Sequence, residues 1–282
     1  MKPIISEWFI IGVSAAAMAF LMLWTAGAGM SGGRNPFMVF IALTPLFIII
    51  AIIIYVYYQF KILRDIPDIQ APDAKIKVIQ NYLRRNTINV NLPFYGRIRR
   101  KFLSMLVVAY ADKGDYLAAF ETCEKVWRFL PHGFAARSSL TGEEAAIYAD
   151  EIIVLIHLGR LKPAESLLRE LEIKSFSDSA GFFLAKLCGL YLLTYKGEHK
   201  DIAAAREKHG QARSFLSDRS IEERFPMKDF KYTLLFLEAK LDKLEKKYDQ
   251  ARAELENITY DSPNYGNKRL AREELEYWIT RS

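Results

Sequence analysis

Two long uncharged runs near the N-terminus constrain this chain more than any other feature. Residues 8–28 and 37–60 contain no charged side chain over 21 and 24 residues, respectively. A helix rises about 1.5 Å per residue, so each run is long enough to cross a hydrocarbon core of roughly 30 Å. Pro45 lies inside the second run, where a membrane-spanning helix tolerates a kink. The sequence therefore predicts a transmembrane helical hairpin in residues 1–60.

The first run also has features of a secretory signal peptide. Lys2 precedes it, and the small residues 26–29 end it, as at a cleavage site. Glu7 interrupts the basic region that a signal peptide needs, and the apolar run is long, so we expect a retained helix. The short link at 29–36 then makes the two spans antiparallel.

The distribution of lysine and arginine predicts the orientation of this hairpin. Arg34 is the only basic residue in the hairpin loop, whereas four basic residues follow the second span within the roughly 15–20 residues that the positive-inside rule counts. Both termini are therefore expected in the cytoplasm, with the anchor in the plasma membrane or inner membrane. Only two cysteines are present, which fits a reducing compartment and excludes a disulfide-rich secreted scaffold.

A basic juxtamembrane segment follows at residues 61–101, with ten basic and three acidic side chains and a net charge of +7. Asp73 is suited to capping a helix through Arg85, in which Ile76 and Ile79 begin an apolar stripe. Two interpretations stay open: this helix lies on anionic headgroups, or its stripe packs on the domain that follows. No stacking or groove-reading motif accompanies the charges, so nucleic acid is not an expected partner. The candidate membrane-surface residues are Lys61, Arg64, Lys75, Lys77, Arg84, Arg85, Arg97, Arg99, Arg100 and Lys101.

Residues 102–282 carry helical periodicity interrupted by turns. Gly114 and Asp115 mark the first turn, and similar sequences recur near residues 159, 197 and 247. No run alternates apolar and polar residues with a period of two, so no sheet is expected. The pattern predicts an all-α domain of about four helical hairpins, closed by a capping helix at Asn267–Arg281.

Residues 102–131 resemble the tetratricopeptide repeat, a helix–turn–helix unit of about 34 residues. The positions that match are Leu103, Leu106, Tyr110, Gly114, Asp115, Tyr116, Ala119, Cys123, Val126 and Pro131. The resemblance weakens along the chain, and the spacing between turns is longer than in that family. It implies a TPR-like α-solenoid whose first helix in each pair lines a concave groove.

The resemblance also implies a groove that binds a peptide or helix of a partner protein. Its candidate residues are Val108, Ile153, Ile156, His157, Tyr191, Phe236, Lys240 and Lys243. An apolar groove with two lysines at one end suits an amphipathic or acidic–apolar helix. The carboxylate clamp of some family members is not expected, because Ser104 and Val108 stand where it needs Lys and Asn. The open alternative is that long helices fill their own groove and these residues are core.

Catalytic patterns are missing from the sequence. It contains no metal-binding histidine or cysteine spacing and no nucleophile elbow, so we expect no enzyme activity, no cofactor and no metal. Cys123 and Cys188 fall at apolar helical positions and are interpreted as small core residues. The predicted function is a membrane-anchored adaptor or assembly factor that presents a cytoplasmic groove to a partner. The alternative is a structural subunit of a larger transport or secretion complex, with the two spans as its main interface.

Overall fold

The computed structural model describes residues 57, 61–62, 64–85, 93–130, 139–175, 179–198, 201–217 and 227–279. The described part of the chain is helical and contains no strand. The predicted spans at 8–28 and 37–60 lie outside these residues, except for Tyr57. Within the described ranges, no helix combines the length and the apolar character that crossing a bilayer requires.

The chain divides into two compact units, Met1–Asp68 and Ile69–Ser282. The second unit contains ten described α-helices and one 3-10 turn at Phe215–Ser217. The α-helices are α1 (Pro72–Arg85), α2 (Pro93–Lys113), α3 (Tyr116–Trp127), α4 (Gly142–His157), α5 (Leu161–Lys174), α6 (Ser179–Lys196), α7 (Ile202–Ser214), α8 (Met227–Leu244), α9 (Tyr248–Asp261) and α10 (Tyr265–Ile279).

Four tight turns divide α2–α9 into consecutive helix pairs. Each turn contains one residue in the left-handed region, Gly114 (φ 89°), Gly159 (φ 71°), Gly197 (φ 65°) or Lys246 (φ 66°). A left-handed residue ends a helix and lets the chain reverse, and glycine adopts that conformation without a Cβ penalty. The turns predicted from the sequence therefore lie between α2 and α3, α4 and α5, α6 and α7, and α8 and α9.

Side-chain caps fix where two of these helices begin. The Thr141 hydroxyl accepts from the Glu144 backbone N–H at 3.3 Å, and the Glu144 carboxylate accepts from the Thr141 N–H at 2.9 Å. This reciprocal pair is the capping box that the sequence predicts, and it starts α4. Asp115 caps α3 by accepting from the Ala118 N–H at 3.1 Å.

The first helices of the pairs form one row. α2 packs on α4, α4 on α6, and α6 on α8, while the second helices α3, α5, α7 and α9 cover their partners. The last helix, α10, packs on α9 and on both ends of the row, α2 and α8. The predicted capping helix therefore also links the first helix of the row to the last.

Two groups of buried side chains form the core of the second unit. One lies among α2, α3 and α4, and the larger one extends from α4 to α10. Cys123 and Cys188 are 2% and 0% exposed, which confirms the prediction that both are core residues. Burial raises the pKa of both thiols, so they stay protonated and poorly reactive.

The apolar stripe of α1 packs on α2. Ile76, Ile79 and Tyr82 are buried, and the Tyr82 ring stacks on Phe102 with centroids 3.7 Å apart. The structure therefore agrees with the second of the two sequence interpretations, in which the stripe packs on the helical domain. The boundary at residue 101, drawn from the run of charge, falls inside α2, which begins at Pro93.

A pair of substitutions in α5 tests this core. Leu171 is fully buried, whereas Ile173, two residues further along, is 76% exposed. We expect Leu171→Ala to lower the free energy of unfolding by about 2–5 kcal/mol, because it leaves a cavity. The matched change Ile173→Ala should stay within about 0.5 kcal/mol of wild type. Urea unfolding of the full chain in mild detergent, followed by circular dichroism, measures both; equal losses would contradict this packing.

Candidate partner-binding groove

The ends of several helices meet around a cavity of about 420 Å³. Its walls come from the start of α3, the ends of α4 and α6, the middle of α8 and one face of α10. The lining residues are Tyr116, His157, Tyr195, Phe236, Lys240, Lys243, Leu270, Glu273, Glu274 and Tyr277. The cavity is therefore aromatic, with lysines on one wall and carboxylates on the opposite wall.

Four of the eight predicted groove residues line this cavity, namely His157, Phe236, Lys240 and Lys243. Tyr191 lies directly behind it, with its ring 6.2 Å from that of His157. The other three are elsewhere. Val108 is 39% exposed on α2, Ile156 is buried in the core, and Ile153 packs against the core from a half-buried position.

His157 is held by aromatic rings on three sides. It stacks on Tyr116 with ring centroids 4.3 Å apart, and Tyr191 and Tyr195 meet it edge-on. Its Nδ1 lies 3.4 Å from the Tyr195 hydroxyl. Burial, with smaller contributions from the charges of Lys240 and Arg269, lowers the pKa of His157 to about 3. At neutral pH this imidazole is uncharged, which rules out a role as a cationic contact.

Lys240 and Lys243 form the cationic wall, and each lies over aromatic rings. The Lys240 Nζ is 4.2 Å from the ring centroid of Tyr195 and 5.6 Å from that of Phe236. Burial lowers the pKa of Lys240, although the nearby Glu274 carboxylate opposes this shift. Such a partly desolvated ammonium over aromatic faces is favourable only with a carboxylate close by.

Glu274 of α10 supplies that carboxylate. Its Oε2 lies 3.5 Å from the Lys240 Nζ, and its Oε1 accepts a hydrogen bond from Lys243. Burial opposes the ionisation of Glu274, but the two lysines outweigh it and hold its pKa below the usual value. Lys243 also lies over the rings of Tyr277 and Trp278, at 4.7 and 5.2 Å. At this cavity, the lysines of α8 are thus already paired with a helix that combines a carboxylate with aromatic side chains.

Arg269 ties the other end of α10 to the turn after α2. Its Nε donates to the Asp112 carbonyl at 2.9 Å, and its Nη2 donates to the Ala111 carbonyl at 3.2 Å and the Tyr116 hydroxyl at 2.7 Å. A Cβ at Gly114 would come within 3.0 Å of the Arg269 Nη1, so glycine permits this approach. The guanidinium thus binds carbonyls in the last turn of α2, and it shares that of Ala111 with the Gly114 N–H at 2.9 Å.

Several residues of the site escaped the sequence interpretation. Tyr195 lies one helical turn after Tyr191, so the spacing of four residues on α6 could have identified it. Tyr116 was considered only as part of a turn. Leu270, Glu274 and Tyr277 belong to a helix interpreted as a cap, and no local pattern indicated that it faces the lysines.

The predicted membrane-surface residues fall into two groups. Lys77, Arg84 and Arg97 are exposed in the second unit, and Lys61 and Arg64 are exposed in the first. Arg100 is 8% exposed, donating to the Phe129 carbonyl at 3.3 Å and to Glu143 at 3.4 Å. Lys75, Arg99 and Lys101 are half-buried, and the Arg85 side chain lies outside the described set.

Among the described residues, no group of three or more histidine, cysteine, aspartate or glutamate side chains is arranged to hold a metal ion. No protein-family model matches the chain, and neither does any curated protein or solved structure.

The pKa of His157 gives a testable pH dependence. The unfolded chain binds a proton on this histidine below about pH 6.5, whereas the folded chain does so only near pH 3. Protonation therefore favours unfolding throughout that window, by up to about 1.4 kcal/mol per pH unit. His157→Phe keeps the ring stacking and removes the proton site. We expect the variant to be less stable than wild type at pH 7, with a difference that shrinks as the pH falls to 4.5. Urea unfolding at both pH values measures this, and parallel pH profiles would contradict it.

Proposed function

We propose that the protein is a membrane-anchored adaptor or assembly factor that binds a helix of a partner protein in this groove. One observation carries the proposal: Lys240 and Lys243 of α8 already pair with Glu274 of an amphipathic helix, α10, whose Tyr277 and Trp278 rings lie beside Lys243. Helix-in-groove recognition uses the same elements, with anchors on one helical face entering an apolar cleft. The two lysines add charge complementarity, which contributes specificity for an acidic partner.

We also propose that the helical domain is a TPR-like α-solenoid. Four helix pairs separated by left-handed turns support this, as does the row formed by the first helix of each pair. The fully buried Ala119 supports it too, since a small side chain lets α2 and α3 approach closely at the position that the family resemblance indicated. Such repeats bury a continuous core only by stacking, and they need a terminal helix to close it.

The anchor in this proposal is the pair of uncharged runs at residues 8–28 and 37–60, which would place the protein in the plasma or inner membrane. The basic residues after them would keep the helical domain on the cytoplasmic side, near anionic headgroups. The exposed Lys77, Arg84 and Arg97 support a contact with headgroups that is electrostatic rather than inserted. No nucleic acid and no cofactor form part of this function.

A second function deserves a test because α10 occupies the groove in the structure. If that helix never leaves, the groove is core. The protein would then be a structural subunit of a larger transport or secretion complex, held by its two spans.

Two changes to the full chain separate these functions. If the protein is an adaptor, partners that co-purify with it in mild detergent should still do so after residues 1–60 are replaced by an unrelated two-span anchor. They should be lost with Lys243→Glu, which repels an acidic helix. Lys231→Glu, an exposed lysine on the same helix, is the matched control and should change nothing. The opposite pattern, with loss after the anchor exchange and retention in Lys243→Glu, would establish the structural subunit.

Cysteine labelling tests the proposed orientation. Cys123 is too buried to serve, so we would place the probe at Ser166, which is exposed on α5. Ser166→Cys should resist a membrane-impermeant thiol reagent in intact cells and react after lysis. Ser31→Cys, in the predicted hairpin loop, should react in intact cells and serves as the control. Strong labelling of Ser166→Cys from outside would reverse the orientation.

A further inference from the structure

We propose that α10 is a releasable internal ligand and that the partner is a helix carrying the same anchors: leucine, a carboxylate four residues later, and aromatic rings three and four residues after that. The inference rests on the proposed function and deepens it, because it specifies both the chemistry of the partner and the element that regulates its access. Three observations support it.

The first observation is the match between α10 and the groove. Leu270, Glu274 and Tyr277 lie on one face of the helix at spacings of four and three residues, and all three line the cavity. Trp278 adds a ring over Lys243. Spacings of three and four residues define the anchors of a helix bound in a groove. We therefore expect the partner helix to carry the same anchors as α10.

The second observation is how lightly α10 is packed. Among its described side chains, which exclude that of Ile279, Ala271 is the one apolar side chain that is fully buried, whereas Leu270, Leu275 and Trp278 are half-buried. By contrast, most of the apolar side chains of α6 are buried. An element with little apolar burial opens at a lower free energy than the core helices. α10 is thus held by less apolar burial than the central helix α6.

The third observation is that polar contacts hold α10 at three points along its length. Asn267 donates to the Thr233 hydroxyl at 3.3 Å, Arg269 bonds to the last turn of α2, and Glu274 pairs with Lys240 and Lys243. Water can replace each of these contacts when the helix leaves. The carboxylate of Glu274 faces the lysines of α8, and a partner helix would have to replace that pairing.

The test uses the full chain in mild detergent and a fluorescein-labelled peptide of residues 263–282 as the probe. Glu274→Gln weakens the hold on the chain's own α10 and leaves the lysines intact. We expect it to bind the peptide about tenfold more tightly than wild type, because apparent affinity rises with the fraction of open groove. Glu276→Gln, an exposed position on the same helix, should behave as wild type. A peptide with lysine in place of Glu274 should bind neither protein.

A reversible cross-link that locks α10 in place provides the second experiment. The touching side chains of Thr233 and Asn267 allow a double variant, Thr233→Cys with Asn267→Cys, to fasten α10 to α8. The oxidised form should lose peptide binding and regain it on reduction, while oxidant alone should leave wild type unchanged.

Three results would overturn the inference. They are equal peptide binding by the oxidised and reduced forms, no binding by any variant, and dimers of Glu274→Gln that the peptide does not dissociate. The last would mean that α10 is exchanged between two copies of the chain. Capture of cellular partners by the oxidised form would reject the release of α10 and leave the adaptor function standing. The opposite result is peptide binding that follows the expected pattern while no cellular partner is sensitive to Lys243→Glu. It would support the release of α10 and reject the adaptor function.

Discussion

The closure of the helix row depends on one long-range contact, the guanidinium of Arg269 against the end of α2. Its donors reach two backbone carbonyls and a tyrosine hydroxyl more than 150 residues earlier in the chain. A row of helix pairs packed only on their neighbours would have two separate ends. Through Arg269, α10 connects those ends, and it thereby sets which side chains of the row face water and which face another helix.

The same closure explains the electrostatics of the cavity. Lys240 would be costly to bury alone, and Glu274 reduces that cost by placing a carboxylate beside it. His157 behaves differently, because it has aromatic neighbours but no carboxylate among its hydrogen-bond and ring contacts, and it stays neutral. One helix position therefore decides that the lysine side of the cavity is charged and the histidine side is not.

Much of the local structure could be predicted from the sequence, because it depends on neighbouring residues. Gly114, Gly159 and Gly197 marked turns through their conformational freedom, and Thr141 with Glu144 marked the start of α4. The family resemblance indicated His157, Phe236, Lys240 and Lys243 as groove residues, because it places the first helix of each pair along the groove. These are features of short segments.

Features that depend on packing across the chain could not be predicted in this way. Arg100 was grouped with surface charges because charge runs usually face solvent, yet a carbonyl and Glu143 bind it where α2 packs against its neighbours. Glu274 belongs to a helix that the sequence indicated only as a cap. The role of Glu274 depends on where α10 packs. The position of α10 depends in turn on Arg269 and on Gly114, which leaves space for the guanidinium.

Because α10 is tethered to the groove, it competes strongly with any partner helix. This competition gives a reason for attaching the groove to a membrane. The link between α9 and α10 spans only residues 262–264, so α10 acts at an effective concentration on the order of millimolar. A dilute soluble peptide competes with it at a disadvantage, so it should bind the wild-type chain only weakly. A partner confined to the same membrane is itself concentrated near the groove, and the competition becomes even. In the proposed adaptor, the anchor and α10 thus act together: one raises the local concentration of the correct partner, and the other excludes helices that meet the groove only by free diffusion.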